Sequence, residues 1–111
     1  MCELNKDSGI SVIGSGVAPE LANNECRSNA YAGIYFESGS GGKAESNICE
    51  GNATSGIIIN ASSPYLNANR LLNNAQYGLV YGKSSKPTFG AKNEFAGNGK
   101  GNVLTKATFM N

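Results

Sequence analysis

The chain contains no histidine, no tryptophan and a single aspartate, Asp7. Without histidine it lacks the commonest general base and a favoured zinc ligand. Without tryptophan, and with few other aromatics, it cannot fill a globular core with large side chains. One aspartate leaves little for the clustered carboxylates of polymer hydrolysis. Neither sign of charge dominates: the formal net charge is +1. Composition therefore gives no electrostatic case for nucleic acid or an anionic membrane. No apolar run approaches about 18 residues, the length at which a segment reads as a transmembrane helix. The opening MCELNKDSGI lacks the basic-then-apolar order of a signal peptide, so the compartment stays open. The chain is either cytosolic, or trimmed of a leader, or an excised piece. Three cysteines, an odd number, argue against a closed disulfide framework.

What is abundant is glycine, about twice its usual share, and asparagine, and both recur at fixed intervals. Ile10, Ile34, Ile57, Leu79 and Val103 are separated by 24, 23, 22 and 24 residues. Five positions before each stands Asn5, Asn29, Asn52, Asn74 or Asn98. Three before that comes Cys2, Cys26, Cys49, Leu71 or Phe95. Two further back are Asn24, Asn47, Asn69 and Asn93. Upstream again are Leu21, Ala44, Leu66 and Phe89. Gly9, Gly33, Gly56 and Gly78 precede the marker, replaced by Asn102 in the fifth unit. Such periodicity is the mark of a repeat architecture.

After the glycine, apolar residues alternate: Ile10/Val12, Ile34/Phe36, Ile57/Ile59, Leu79/Tyr81. That is the strand period. No helical period is sustained, and the unit is shorter than the ~33 residues of helical repeats. A unit of three short strands and tight turns is one coil of a right-handed parallel β-helix. The expected fold is all-β, a solenoid of four to five coils with about 23 residues per coil. It forms a single repeat domain over 1–111, read as a fragment of a longer β-helix or a short one.

Each column then acquires a physical role. Coils lie about 4.8 Å apart, so equivalent residues stack. Stacked asparagines hydrogen-bond amide to amide in turn ladders. The glycine column is expected to relieve a sharp turn through left-handed backbone, a geometry asparagine at 102 also tolerates. The three cysteines form a stack of interior thiols. Their column predicts burial, and they form no zinc set.

The copies NECRSNAYAGIYF, NICEGNATSGIII and NRLLNNAQYGLVY carry the pattern N-x-[CI]-x-x-N-x-x-x-G-I-x-[IV]. In this the chain resembles the right-handed parallel β-helix repeat proteins of the pectin lyase-like superfamily, over essentially its whole length. The resemblance implies a fold. Its functional theme, acidic polysaccharide lying along one exposed sheet, is an analogy from that fold. No catalytic residue carries over. The D-P-H-E of alginate epimerases, the clustered Asp and G-H-G of polygalacturonases and the R-x-P-x-x-R of pectate lyases are all missing. The glutamates read as solvated cross-strand partners: Glu3, Arg27 and Glu50 in one column, Arg70 and Glu94 in another. No cofactor or metal is called for.

A surface remains. Ser11, Tyr35, Ile58, Val80 and Leu104 should point outward from the main strand. The turn beside them carries Tyr31, Thr54, Gln76 and Lys100. Candidate contacts are Tyr31 and Tyr35 for a sugar ring, Ile58 and Val80 in an exposed apolar stripe, and Lys83, Lys86 and Lys92 for an acidic polymer. An apolar stripe favours contact with another protein surface. Leu72 is also expected to face out. The sequons at Asn52 and Asn60 carry little weight, because Asn52 belongs to a ladder. Open solenoid ends predict pairing end to end, with Phe109 and Met110 folding over the last coil. The leading expectation is a non-catalytic scaffold or interaction module. The alternative is part of a secreted protein that binds or cleaves acidic polysaccharide.

Overall fold

A computed structural model describes residues 2–82, 84–90 and 93–106. Every strand in it is parallel to its neighbours. In chain order the strands are β1 (Cys2–Glu3), β2 (Ile10–Ile13), β3 (Glu20–Ala22), β4 (Glu25–Arg27), β5 (Ile34–Glu37), β6 (Lys43–Glu45) and β7 (Ile48–Glu50). There follow β8 (Ile57–Asn60), β9 (Tyr65–Asn67), β10 (Arg70–Leu72), β11 (Tyr77–Gly82), β12 (Thr88–Phe89), β13 (Glu94–Ala96) and β14 (Gly101–Lys106). Sheet A runs β1-β4-β7-β10-β13, sheet B runs β2-β5-β8-β11-β14, and sheet C runs β3-β6-β9-β12. Every third strand joins the same sheet, so the chain winds as a parallel β-solenoid.

The register is the one the repeat predicts. Cys2, Cys26, Cys49, Leu71 and Phe95 stack in sheet A. Ile10, Ile34, Ile57, Leu79 and Val103 stack in sheet B. Leu21, Ala44, Leu66 and Phe89 stack in sheet C. Apart from the exposed Phe89 and Val103, these columns meet in one core, where Phe36, Ile34, Ile57 and Ile59 are fully buried. Burying each such side chain contributes roughly 1.5–3 kcal/mol. Cys26 and Cys49 are buried thiols in this core, whereas Cys2, in the first coil, is only half-buried. Beside Cys26 and within the core, the Cys49 thiol is pushed well above its ordinary range, first by its hydrogen bond with Cys26 and then by burial.

The asparagines hold the corners. Asn52 Oδ1 accepts from Asn29 N and from Asn29 Nδ2, both at 3.0 Å. Its own Nδ2 donates to Cys26 O at 3.1 Å and to Asn74 Oδ1 at 2.9 Å. Both lone pairs and both hydrogens are used, which is the full capacity of a side-chain amide. Asn47 and Asn69 do the same at the other corner of sheet A. Leaving such a group unpaired in the interior costs about 1–3 kcal/mol. The Asn52 sequon is therefore locked inside the ladder, with Asn52 1% exposed.

Two expectations about the turns are corrected. Gly9, Gly33, Gly56 and Gly78 do not adopt left-handed backbone, and neither does Asn102. These glycines are required by space. A Cβ on Gly33 would lie 2.8 Å from the carbonyl oxygen of Gly56 and 2.8 Å from Cys49 Cβ; one on Gly56 would lie 2.8 Å from the oxygen of Gly78. Left-handed residues stand elsewhere, among them Ser38 and Ala61 just after β5 and β8 and a set immediately before the ladder asparagines. Leu4, Ser28, Gly51, Asn73 and Gly97 take positive φ at one corner, and Asn23, Ser46 and Ala68 at the other. A non-glycine residue in that region costs about 1–3 kcal/mol, so the ladders hold strained corners in place. Phe109 and Met110, expected to fold over the last coil, lie outside the described residues.

Candidate functional site

Sheet B is apolar on both faces. Ile57 and Ile59 of β8 point into the core, while Ile58 between them belongs to a second, outer cluster with Ala32 and Val80. Strand alternation forces this separation. The outer column was expected to be an exposed stripe, but Ile58 is 4% and Val80 5% exposed. The reason is the side chains around it: Tyr31 of the turn between sheets A and B, Tyr77 at the start of β11, Tyr35 and Leu104 pack against the column. Backbone bonds stitch this turn from coil to coil: Thr54 N donates to Tyr31 O at 2.9 Å, and Gln76 N donates to Thr54 O at 2.6 Å. Thr54 Oγ1 also donates to Tyr31 O, at 2.6 Å.

Between turn and sheet lies a groove of about 260 Å³, lined by Tyr31, Thr54, Ser55, Ile58, Gln76, Tyr77, Val80 and Leu104. It brings together three of the sequence-derived candidates: Tyr31, Ile58 and Val80. Tyr35 stands beside it, with its ring edge-on to Tyr31 at 5.5 Å between centroids and 80° between planes. Lys86 is exposed on a different turn, where its N–H donates to Ser62 O at 3.2 Å; it is not in the lining. Lys83 and Lys92 lie outside the described residues. Leu72, also expected to face out, is half-buried on sheet A in register with Glu50 and Ala96.

Ser55 and Tyr77 were not foreseen in the lining. They occupy the position just before the column glycine, and Tyr77 N donates to Ser55 Oγ at 3.3 Å. Their signal was the neighbouring turn column of Tyr31, Thr54 and Gln76, since two adjacent turn positions share one wall.

The groove is chemically mild. Its lining offers hydroxyls, one amide and aliphatic faces, with no carboxylate or cation. Burial raises the Tyr31 phenol above its ordinary range, and the negative charges of Asp7 and Glu37 raise it further. Burial raises Tyr35 as well, an effect opposed by a hydrogen bond with Asn60. Both phenols therefore remain neutral donors well into alkaline conditions. Among the described residues, no group of three or more His, Cys, Asp or Glu side chains is arranged to hold a metal. Charged residues pair on sheet A instead, within β4 and across strands. Arg27 Nε lies 3.1 Å from Glu25 Oε1, the same guanidinium reaches Glu50, and Arg70 Nε lies 3.1 Å from Glu94 Oε1.

The family model described as "Right handed beta helix region" matches residues 2–110. No curated protein and no solved structure gives a significant match.

Proposed function

The chain belongs to the right-handed β-helix family, and from that premise we propose that it is a non-catalytic interaction module whose ligand-facing surface is the groove over sheet B. The observation that carries this reading is the outer apolar cluster. A solenoid needs apolar residues inside; it does not need Ile58 and Val80 packed outside under two tyrosines. A concave strip of aliphatic floor, phenol walls and a few hydrogen-bonding groups is the usual chemistry of a recognition site. The lining supplies no proton-transfer pair and no anion stabiliser, so it suits binding rather than bond cleavage.

The glycan reading rests on the same tyrosines, whose faces suit sugar rings. Against an acidic polymer stand Asp7 and Glu37, whose charges are felt at Tyr31, and the lack of a cation in the lining. A neutral surface, whether peptide or uncharged glycan, fits the groove better than a uronate chain does.

Peptides selected from a random displayed library against the intact chain test this directly. Selected peptides should lose at least about tenfold in affinity for Y31A and Y77A, since aromatic anchors dominate such sites. They should retain affinity for R70A, on another sheet. Selected binders that are indifferent to Y31A and Y77A would remove the groove as the recognition surface. Release of reducing or unsaturated ends from polygalacturonate or alginate by the purified chain would overturn the non-catalytic reading.

A further inference from the structure

The lining of the groove is uncharged, but acids flank its Tyr31 end. Asp7 precedes Tyr31 by one coil on the turn column, and Tyr31 N donates to Asp7 O at 3.2 Å. Glu37 stands two residues after Tyr35 in β5, so strand alternation sets both on the outward face. Phe36 between them is buried in the core. The charges of Asp7 and Glu37 are both felt at the Tyr31 phenol, and that of Glu37 at Tyr35 as well. Asp7 is exposed and Glu37 half-buried. Among the described residues neither forms an ion pair, although the exposed Lys6 adjoins Asp7 in the chain.

Beside these carboxylates stand two phenol rings set edge to face. The face of an aromatic ring carries the negative side of its quadrupole and attracts a cation. Rings and carboxylates thus favour the same sign, and together they repel an anion. The preference is confined to one end. Farther along the turn column come Thr54, Gln76 and then the exposed Lys100. A polymer with a cation on every unit would meet Lys100; a single cation at the Tyr31 end does not. Size narrows the choice further. At about 260 Å³ the groove falls below the ~300–1,000 Å³ of pockets that enclose a whole small molecule. It has room for side chains of a longer ligand.

We infer that the Tyr31 end of the groove receives the Arg or Lys side chain of a partner peptide, with a neighbouring apolar side chain of that peptide lying on Ile58 and Val80. The aliphatic floor supplies contact area, and the acidic end fixes the direction in which the peptide lies. The inference rests on the groove being the recognition surface and adds the charge of what enters it.

Titration of the intact chain with N-acetylarginine methylamide, followed by NMR at the tyrosine rings, tests it. The citrulline analogue is the neutral probe of nearly the same shape. The arginine probe should shift Tyr31 and Tyr35 saturably and bind about tenfold more tightly than the citrulline probe. Added salt should narrow that gap, and D7N/E37Q should close it. Neither altered side chain belongs to the core, and matching thermal melts would establish that the variant is folded. The inference is overturned if the two probes bind alike, or if the preference for arginine survives in folded D7N/E37Q. Peptides selected on the unaltered chain separate this outcome from the fate of the groove itself. Peptides that need Tyr31 and Tyr77 yet show no enrichment in Arg or Lys would leave the groove standing and overturn the cation. Arginine binding lost in D7N/E37Q but unchanged in Y77A, beside selected peptides indifferent to Y31A and Y77A, would support the acidic site and remove the groove.

Discussion

The two faces of sheet B bury the same kind of side chain for different reasons. Inside, Ile57 and Ile59 are enclosed by three sheets and by the coils above and below. Outside, Ile58 packs with Ala32 and Val80 beside Tyr31, Tyr35, Tyr77 and Leu104. Inner burial is inherent to winding the chain at all. Outer burial depends on a few side chains packed on the face of one sheet, and a groove lies beside them. A solenoid can therefore lose contacts on its outer face and keep its fold.

The comparison is tested most severely by truncating neighbours on one strand. Ile59→Ala should lower unfolding free energy by about 3–4 kcal/mol, near the upper part of the range for large-to-small core changes. Ile58→Ala should cost about 2 kcal/mol, because its side chain borders the open groove and the lining can settle into the space. Chemical denaturation of the two variants checks the order, and equal losses would mean the outer cluster is as much a part of the core as the inner one.

The phenols give a gentler test. Tyr31 and Tyr35 have folded-state pKa values raised above the ordinary 10.0. A raised value in the folded state means its contribution to stability is fully present below pH ~10 and declines as pH rises through the folded values. Ultraviolet titration should show two late-ionising tyrosines, and stability should fall through that alkaline window. Y31F should remove part of the fall. If Tyr31 and Tyr35 ionised near 10, they would not be packed against the outer column.

The smallest effect is expected on the outer face of sheet A. Arg70 and Glu94 pair there with side chains 54% and 63% exposed. Arg70→Ala should change stability by no more than about 0.5 kcal/mol. A larger loss in the same denaturation experiment would show that this face is also structurally engaged.

Much of the fold was readable because a coil repeats its own geometry. Once Asn29, Asn52 and Asn74 share a column with one spacing, the neighbouring columns follow, and the register of Cys26, Cys49 and Leu71 needs no tertiary information. The glycine column was legible as a requirement but not as a mechanism. Sequence marks a place where a side chain is forbidden; it does not say whether torsion or space forbids it. At Gly33 and Gly56 the reason is the carbonyl of the next coil. The left-handed positions were not legible, because Leu4, Ala61 and Ala68 are unusual occupants of positive φ, held there by the corner rather than preferred by the residue. The groove was half legible. Tyr31, Ile58 and Val80 were on the right columns, but Ser55 and Tyr77 joined them only in the folded groove.

Sequence alone determined the coil: its length, its strand alternation, its ladders and which side chains stack. These follow from periodicity, since equivalent positions in successive turns must meet. Only the tertiary structure decided that the outward apolar column is covered and that a groove runs beside it. That outcome depends on the path of the turn between sheets A and B, and a turn's path is set by what it packs against, not by the residues it contains.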